Sequence, residues 1–321
     1  MSWHQRRKPE RSQRSITGRC IPGWLATITL VSIAWAPTCW GQTQAINPPP
    51  SADPPFQPAE EYLRQARLSL QQRQSVRAEV KELVHLSDPP FHLKGLYFSS
   101  GNKMRMFFEV KLPGGTTGSL LEVCDGDRLW SEIALPRQKK VTRRDLRQIL
   151  EAIETHRERP EAAINVDLAL GGLPGLLASV ARNMTFHVLK DDTLEGRPVI
   201  YIEGTWKPEW RQRFGAQTPE DRLPETIPDR LRIFFNPDTS FPERLLYLKR
   251  LPDREAFRPL LDLQFRNVEL DEPVNDTLFE YTPPQGITPI DVTKQYLEQL
   301  FPPVDRKAPE NPLSDPLLNA Q

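Results

Sequence analysis

A period of two runs through the middle of this chain, and it limits the fold more than any other feature. Between Lys103 and Lys111, Met104, Met106, Phe108 and Val110 fall on one face and polar residues mostly on the other. Phe91–Ser99 alternates in the same way, with Phe91, Leu93, Gly95 and Tyr97 in phase, and Val76–Leu86 carries Val76, Ala78 and Val80. Ser119–Val123 and Arg128–Leu135 flank Asp125-Gly126, a hairpin dipeptide in which both central residues tolerate positive φ. Strand-like runs resume at Thr185–Lys190, Arg197–Gly204, Arg230–Asn236, Glu243–Arg250 and Pro259–Leu270, with a turn at Asn236–Ser240. Gln138–Thr142 reads as a further short polar segment, and Asp191–Gly196 as a loop.

Helical spacing interrupts this series. Ala59–Gln74, Arg143–Arg159 and Asp291–Phe301 carry apolar stripes, and Leu173, Leu176, Leu177 and Val180 make an i, i+3, i+4, i+7 face in which Pro174 suits a first turn. Short turns between strands favour antiparallel pairing. The expected class is therefore α+β: one strongly curved antiparallel sheet covered by amphipathic helices on one side.

The ends of the chain are of another kind. Arg6, Arg7, Lys8, Arg11, Arg14 and Arg19 precede an apolar stretch, Ile21–Ala36, which is short for a membrane span. It closes on Pro37 and the small-residue site ending at Gly41. Residues 1–41 thus read as a cleaved export signal, with a retained signal anchor as the alternative. Residues 42–58 form a Pro-rich linker, 59–301 a single domain, and 302–321 a Pro-rich tail. The whole chain has 42 basic and 42 acidic residues, and losing residues 1–41 removes six of the former and one of the latter, leaving a formal charge of −5. That balance, without a long basic run, argues against a nucleic-acid partner. Of the three cysteines only Cys124 lies beyond the signal, so no disulfide staples the fold.

No arrangement of nucleophile, base and orienter stands at a recognisable spacing, and there is no GxSxG, GxxxxGK[ST], HExxH or CxxC motif. His85 and His92 could approach across neighbouring strands, but they read as surface or strand-filling residues. Asp125-Gly126-Asp127 lacks the later ligand positions of a calcium loop.

Two segments resemble the periplasmic outer-membrane lipoprotein carrier (LolA-like) family. Leu121–Trp130 is similar to its V-x-D-G-x-x-L-W hairpin, and Asn275–Ile287 to its closing F-x-F-x-P-P-x-G-V segment. Leu173–Val180 resembles its short lid helix, and Arg230–Leu248 its late strand pair. The family's Arg-Pro pair ahead of the Lys103–Lys111 strand is replaced by Ser99-Ser100-Gly101-Asn102, and Arg105 lies nearby. The resemblance implies an incomplete antiparallel barrel with helices over its open side and a hydrophobic cavity between them. It also implies a monomeric periplasmic carrier of lipoprotein acyl chains or other lipid, without cofactor, metal or catalysis. Such a carrier would receive cargo from an inner-membrane release complex and pass it to an outer-membrane acceptor. A non-catalytic envelope sensor on the same fold is the alternative.

On this reading Met104, Met106 and Phe108 form a cavity wall, and Leu173, Leu176 and Leu177 the lid. Trp206, Trp210 and Phe214, at i, i+4 and i+8 in the additional stretch 206–228, suggest an inserted helix; Trp206 and Trp210 are candidates for a flap at the cavity mouth.

Overall fold

Alternation does produce strands where it is clean. The computed structural model describes residues 58–85, 90–111, 115–155, 168–212, 214–218, 221–252 and 254–301; the stretch read as an export signal, nearly all of that read as a Pro-rich linker, and the tail from 302 lie outside the described residues. The strands are β1 (Val76–Val84), β2 (Phe91–Ser100), β3 (Lys103–Lys111), β4 (Thr117–Cys124), β5 (Arg128–Leu135), β6 (Gln138–Asp145), β7 (Met184–Leu194), β8 (Arg197–Trp206), β9 (Arg230–Phe235), β10 (Pro242–Arg250), β11 (Phe257–Leu270) and β12 (Ile290–Asp291). They form one sheet in the order β12-β6-β5-β4-β3-β2-β1-β11-β10-β9-β8-β7. Every pairing is antiparallel except that of β12 with β6. The helices are α1 (Pro58–Gln72), α2 (Leu146–Thr155), α3 (Leu168–Asn183), α4 (Pro208–Gln212) and α5 (Thr293–Leu300).

The sheet is curled, and one helix shows it. α3 touches β3 and β4 in mid-sheet and also the edge strand β7. β3 and β7 are seven places apart in the sheet, which in a flat sheet is about 34 Å, whereas the 16 residues of α3 span at most about 24 Å. Only a strongly curved sheet lets one helix reach both. Gly95 contributes to the bend: a Cβ there would lie 1.6 Å from the Phe107 carbonyl oxygen on β3, so the two strands approach more closely than any side chain permits.

Register then sorts the side chains. Val80 faces Gly95, Gly95 faces Phe108, and Phe108 faces Leu120; Ala78, Tyr97 and Met106 form the next row. These residues line the concave side and belong to one buried cluster that continues through Phe186, Ile202, Ile233, Leu245 and Phe265. The convex side carries charge. Glu203 on β8 is held between Arg230 and Arg232 of β9, and Arg244 grips Asp262 with two bonds of 2.8 Å. Val199, Phe234, Leu246 and Leu248 also lie on that side, buried with Phe257 and Tyr201 packed against them. Arginines cover this group, with the Arg230 guanidinium 4.2 Å from the Phe257 ring centre and Arg232 5.8 Å from that of Tyr201.

Four expectations need correction. Gln138–Asp145 is a full strand, and the helix starts at Leu146 instead of Arg143, because β5 pairs along the whole of β6 and sets Arg128 opposite Asp145. Residues 191–194 extend β7 instead of forming a loop, and the turn is only Glu195-Gly196, both at positive φ (52° and 80°), the geometry of a tight hairpin. At Asp125-Gly126 only the glycine takes positive φ; the Asp125 carboxylate instead accepts from the amides of Asp127 (2.9 Å) and Arg128 (2.7 Å). Among the described residues the stretch after Trp206 holds one short helix, α4, and Trp206 itself ends β8, so no helix spans the aromatic stripe.

The closing segment is a clamp on the convex face. Asn275 caps a 3₁₀ turn at Asp276–Phe279, whose Leu278 carbonyl accepts from Arg105 at 3.0 Å. Further on, the Tyr281 hydroxyl bonds Glu132 at 2.6 Å. The chain then sets β12 beside β6 and lays α5 against α2. Arg105 thus secures the end of the domain to its third strand.

Candidate functional site: the concave face and its helical cover

Two helices close the concave face. α1 turns Ala59, Leu63, Ala66 and Leu70 inward and packs on α3 and β7, with Tyr62 edge-on to Phe235 at 5.2 Å. α3 is broken by Gly172 at φ 58°, and beyond the break Leu173, Leu176, Leu177 and Val180 lie against the sheet. The break is tied down by a buried hydrogen bond from the Leu173 amide to the Tyr97 hydroxyl on β2 at 3.3 Å. Tyr97 is itself fully buried, with its ring edge-on to Phe265 at 5.7 Å.

The structure gathers six of the eight sequence-selected residues here. Met104, Met106 and Phe108 from β3 and Leu173, Leu176 and Leu177 from α3 belong to one cluster, none more than 4% exposed. Trp206 borders the cluster, half-buried at the end of β8. Trp210 belongs to a separate small core with Ala216, Leu223 and Ile227. The two indoles stack at 3.7 Å, and the Trp206 N–H donates to the Pro228 carbonyl at 2.6 Å. Lys249, almost fully buried, completes that core by donating to the carbonyls of Leu223, Pro224 and Ile227 at 2.8–2.9 Å.

Polar residues that sequence reasoning passed over also face inward. Glu82 lies between Leu93 and Leu263 in the register, and Glu122 between Met106 and Ser131. Glu122 has no exposed surface; it accepts from the Ser131 hydroxyl at 3.1 Å and stands 3.7 Å from the Arg144 guanidinium. Arg144 lies over the Tyr296 ring at 4.9 Å. Glu82 is 6% exposed and its Oε1 has no hydrogen-bond partner. The period-two pattern did carry a signal, since Glu82 is in phase with Val80 and Val84, and Glu122 with Leu120 and Cys124.

Burial, reinforced by the nearby Glu122 charge, pushes the Glu82 carboxyl up to about 8. Burial and the Glu82 charge likewise raise the Tyr247 hydroxyl. A carboxyl raised above its unfolded value stabilises the fold when protonated. Its contribution is whole below the ordinary value of 4.5 and is lost as pH rises through about 8. Urea unfolding of the native protein should therefore show stability falling across that window, and Glu82→Gln should flatten the slope. An equal slope in both proteins would contradict the assignment.

Cys124 is buried on the concave side of β4, and burial pushes its thiol up to about 11, which makes it inert. His85 is lowered first by burial and then by Arg258. Among the described residues no group of three or more His, Cys, Asp or Glu is placed to hold a metal ion. No helix among them is long and apolar enough to cross a membrane.

No family model matches the sequence, and no curated protein matches it. Solved structures to which it is similar include a DUF1329 family protein from Desulfovibrio piger, at 13% identity and TM-score 0.32, covering 70% of this chain and 98% of that one. Another is lipoprotein LppX of Mycobacterium tuberculosis, at 12% identity and TM-score 0.36, covering 68% and 97%. A third is a domain from Vibrio parahaemolyticus described as outer membrane lipoprotein-sorting, at 12% identity and TM-score 0.31, covering 69% and 97%.

Proposed function

We propose that this protein is a non-catalytic periplasmic carrier that sequesters an acylated or otherwise apolar ligand against its concave face. The observation that carries the reading is the way the face is closed. A largely apolar surface is covered at its centre by a kinked helix whose hold on it includes four aliphatic side chains and a hydrogen bond. Burying such side chains contributes about 1.5–3 kcal/mol each, and a fourteen-carbon acyl chain contributes about 11 kcal/mol at about 0.8 per methylene. The two are of similar size, so an acyl chain can take the place of the α3 contacts without leaving the sheet bare. Met104 and Met106 suit this exchange, because an unbranched thioether side chain adapts to ligands of varied shape.

In this scheme α3 is the lid, β3 supplies the wall, and Trp206 stands at its border. The export signal delivers the chain to the periplasm, where it acts as a monomer between an inner-membrane release complex and an outer-membrane acceptor. Titrating the full chain with a fluorescent dodecanoyl probe tests the reading. The expected result is saturable binding with an emission shift to shorter wavelength, reversed by a triacylated lipopeptide. A probe that stays in water at every protein concentration overturns it.

A further inference from the structure

Glu82 stands where a core built only for packing would hold a leucine. Its cross-strand neighbours are Leu93 and Leu263, and Val80 and Val84 flank it on the same face. One of its carboxyl oxygens is buried without a partner, a condition that costs about 1–3 kcal/mol. Polar or charged groups facing the same interior include Tyr97 from β2, Glu122 from β4, Ser131 from β5, Arg144 from β6, Tyr247 from β10 and Tyr62 from α1; Lys249, in phase with Tyr247, is paired with Asp229 at 3.3 Å. From the cover, α1 presents Ala59, Leu63, Ala66 and Leu70, and α3 presents Leu173, Leu176, Leu177 and Val180. None of these eight is charged. Tyr97 is already occupied with the Leu173 amide, and Arg144 stands beside Glu122. Among the described residues Glu122 thus has a cation beside it, whereas none is paired with Glu82, whose own charge stays unbalanced.

We propose that the ligand supplies the balancing charge: the concave face takes an amine-bearing lipid, its ammonium paired with Glu82 and its tail against Met104, Met106 and Phe108. The proposal rests on the carrier reading and deepens it by naming the ligand's head. Without a ligand a proton plays the same part, because Glu82 titrates at about 8 in this setting. An alkyl ammonium, with a pKa near 10, keeps its own proton across the neutral range. Pairing therefore expels the Glu82 proton to solvent, and amine affinity rises with pH up to about 8. An alcohol of the same length has no such dependence.

Isothermal titration of the full chain with dodecylamine, dodecanol and dodecanoate, at about pH 7 in two buffers of different ionisation enthalpy, tests this. Dodecylamine is expected to bind about tenfold or more tighter than the other two and to release close to one proton. Glu82→Gln should bring the amine down to the alcohol and abolish proton release, while its unchanged dodecanol binding shows that the fold is intact. Equal affinity for amine and alcohol in the native protein overturns the proposal and leaves the carrier reading standing. So does an amine preference that survives Glu82→Gln. Failure of all three to bind overturns both.

Discussion

Replacing Gly95 by alanine should leave little or no folded protein. The new Cβ would lie 1.6 Å from the Phe107 carbonyl oxygen and 3.0 Å from the Phe108 Cα, both backbone atoms of a strand paired on its far side with β4. Neither can move without opening the sheet at its point of closest approach. The expected loss is about 4 kcal/mol or more, the range reached only by overpacking and comparable faults. Gly101→Ala is the control: nothing lies within 4 Å of a Cβ there, and its left-handed backbone alone should cost about 1–2 kcal/mol. Far-UV circular dichroism and urea unfolding of the two variants decide the matter. Equal stabilities would mean that the sheet is not pinned at Gly95, and the account of its curvature would fail.

The second large effect concerns α3. Leu177 has no exposed surface, and Leu177→Asp would bury an unpaired carboxylate between α3 and the sheet, at a cost of several kcal/mol. The helix can avoid that cost by leaving the sheet. Cys124 reports the event, since α3 packs on β4, where the thiol is buried and raised to about 11. With Cys20 and Cys39 changed to serine, Cys124 is the sole thiol. Its reaction with an aromatic disulfide reagent should then accelerate about a hundredfold or more, each tenfold corresponding to 1.4 kcal/mol of docking lost. Leu150→Asp, at a leucine that is 54% exposed, should change nothing. A slow thiol in Leu177→Asp with its circular dichroism intact would show that α3 is not what shields the concave face.

The parts of the fold legible in sequence were those with one wet and one dry face. β3 is the clearest case, and the burial of Met104, Met106 and Phe108 on one face follows directly from the period of two. β9 and β10 showed no alternation, because the aromatic and arginine cover on the convex side buries Phe234, Leu246 and Leu248 as well as the concave residues. β6 read as polar because Lys139, Lys140 and Arg143 belong to a strand near the sheet edge, held by pairing more than by burial. The outer part of β7 was hidden for a related reason. Asp191 and Asp192 are exposed there, and charged residues on an edge strand discourage pairing with another chain.

At the site the same contrast holds. The inward face of α3 was legible because its leucine spacing is helical, although the kink at Gly172 and its bond to Tyr97 were not, since that bond joins residues 76 apart. Trp206 and Trp210 were read as one helical stripe; they do stack at 3.7 Å, but Trp206 ends β8, and their partners come from the irregular stretch up to Pro228 that Lys249 gathers in. Glu82 escaped notice because a glutamate in a strand is ordinarily a solvent-facing residue. Only the register with Leu93 and Leu263 places it inside.

The claim on which the rest depends is that the concave face holds an apolar ligand. Native mass spectrometry of the protein purified without detergent from the envelope of the organism that makes it, followed by lipid analysis after denaturation, addresses this directly. The account predicts a mass above that of the polypeptide and an acylated species released in equal amount when the fold is lost. A bare polypeptide mass, from protein that also fails to take up the dodecanoyl probe, would contradict it and turn attention to protein partners of the same surface.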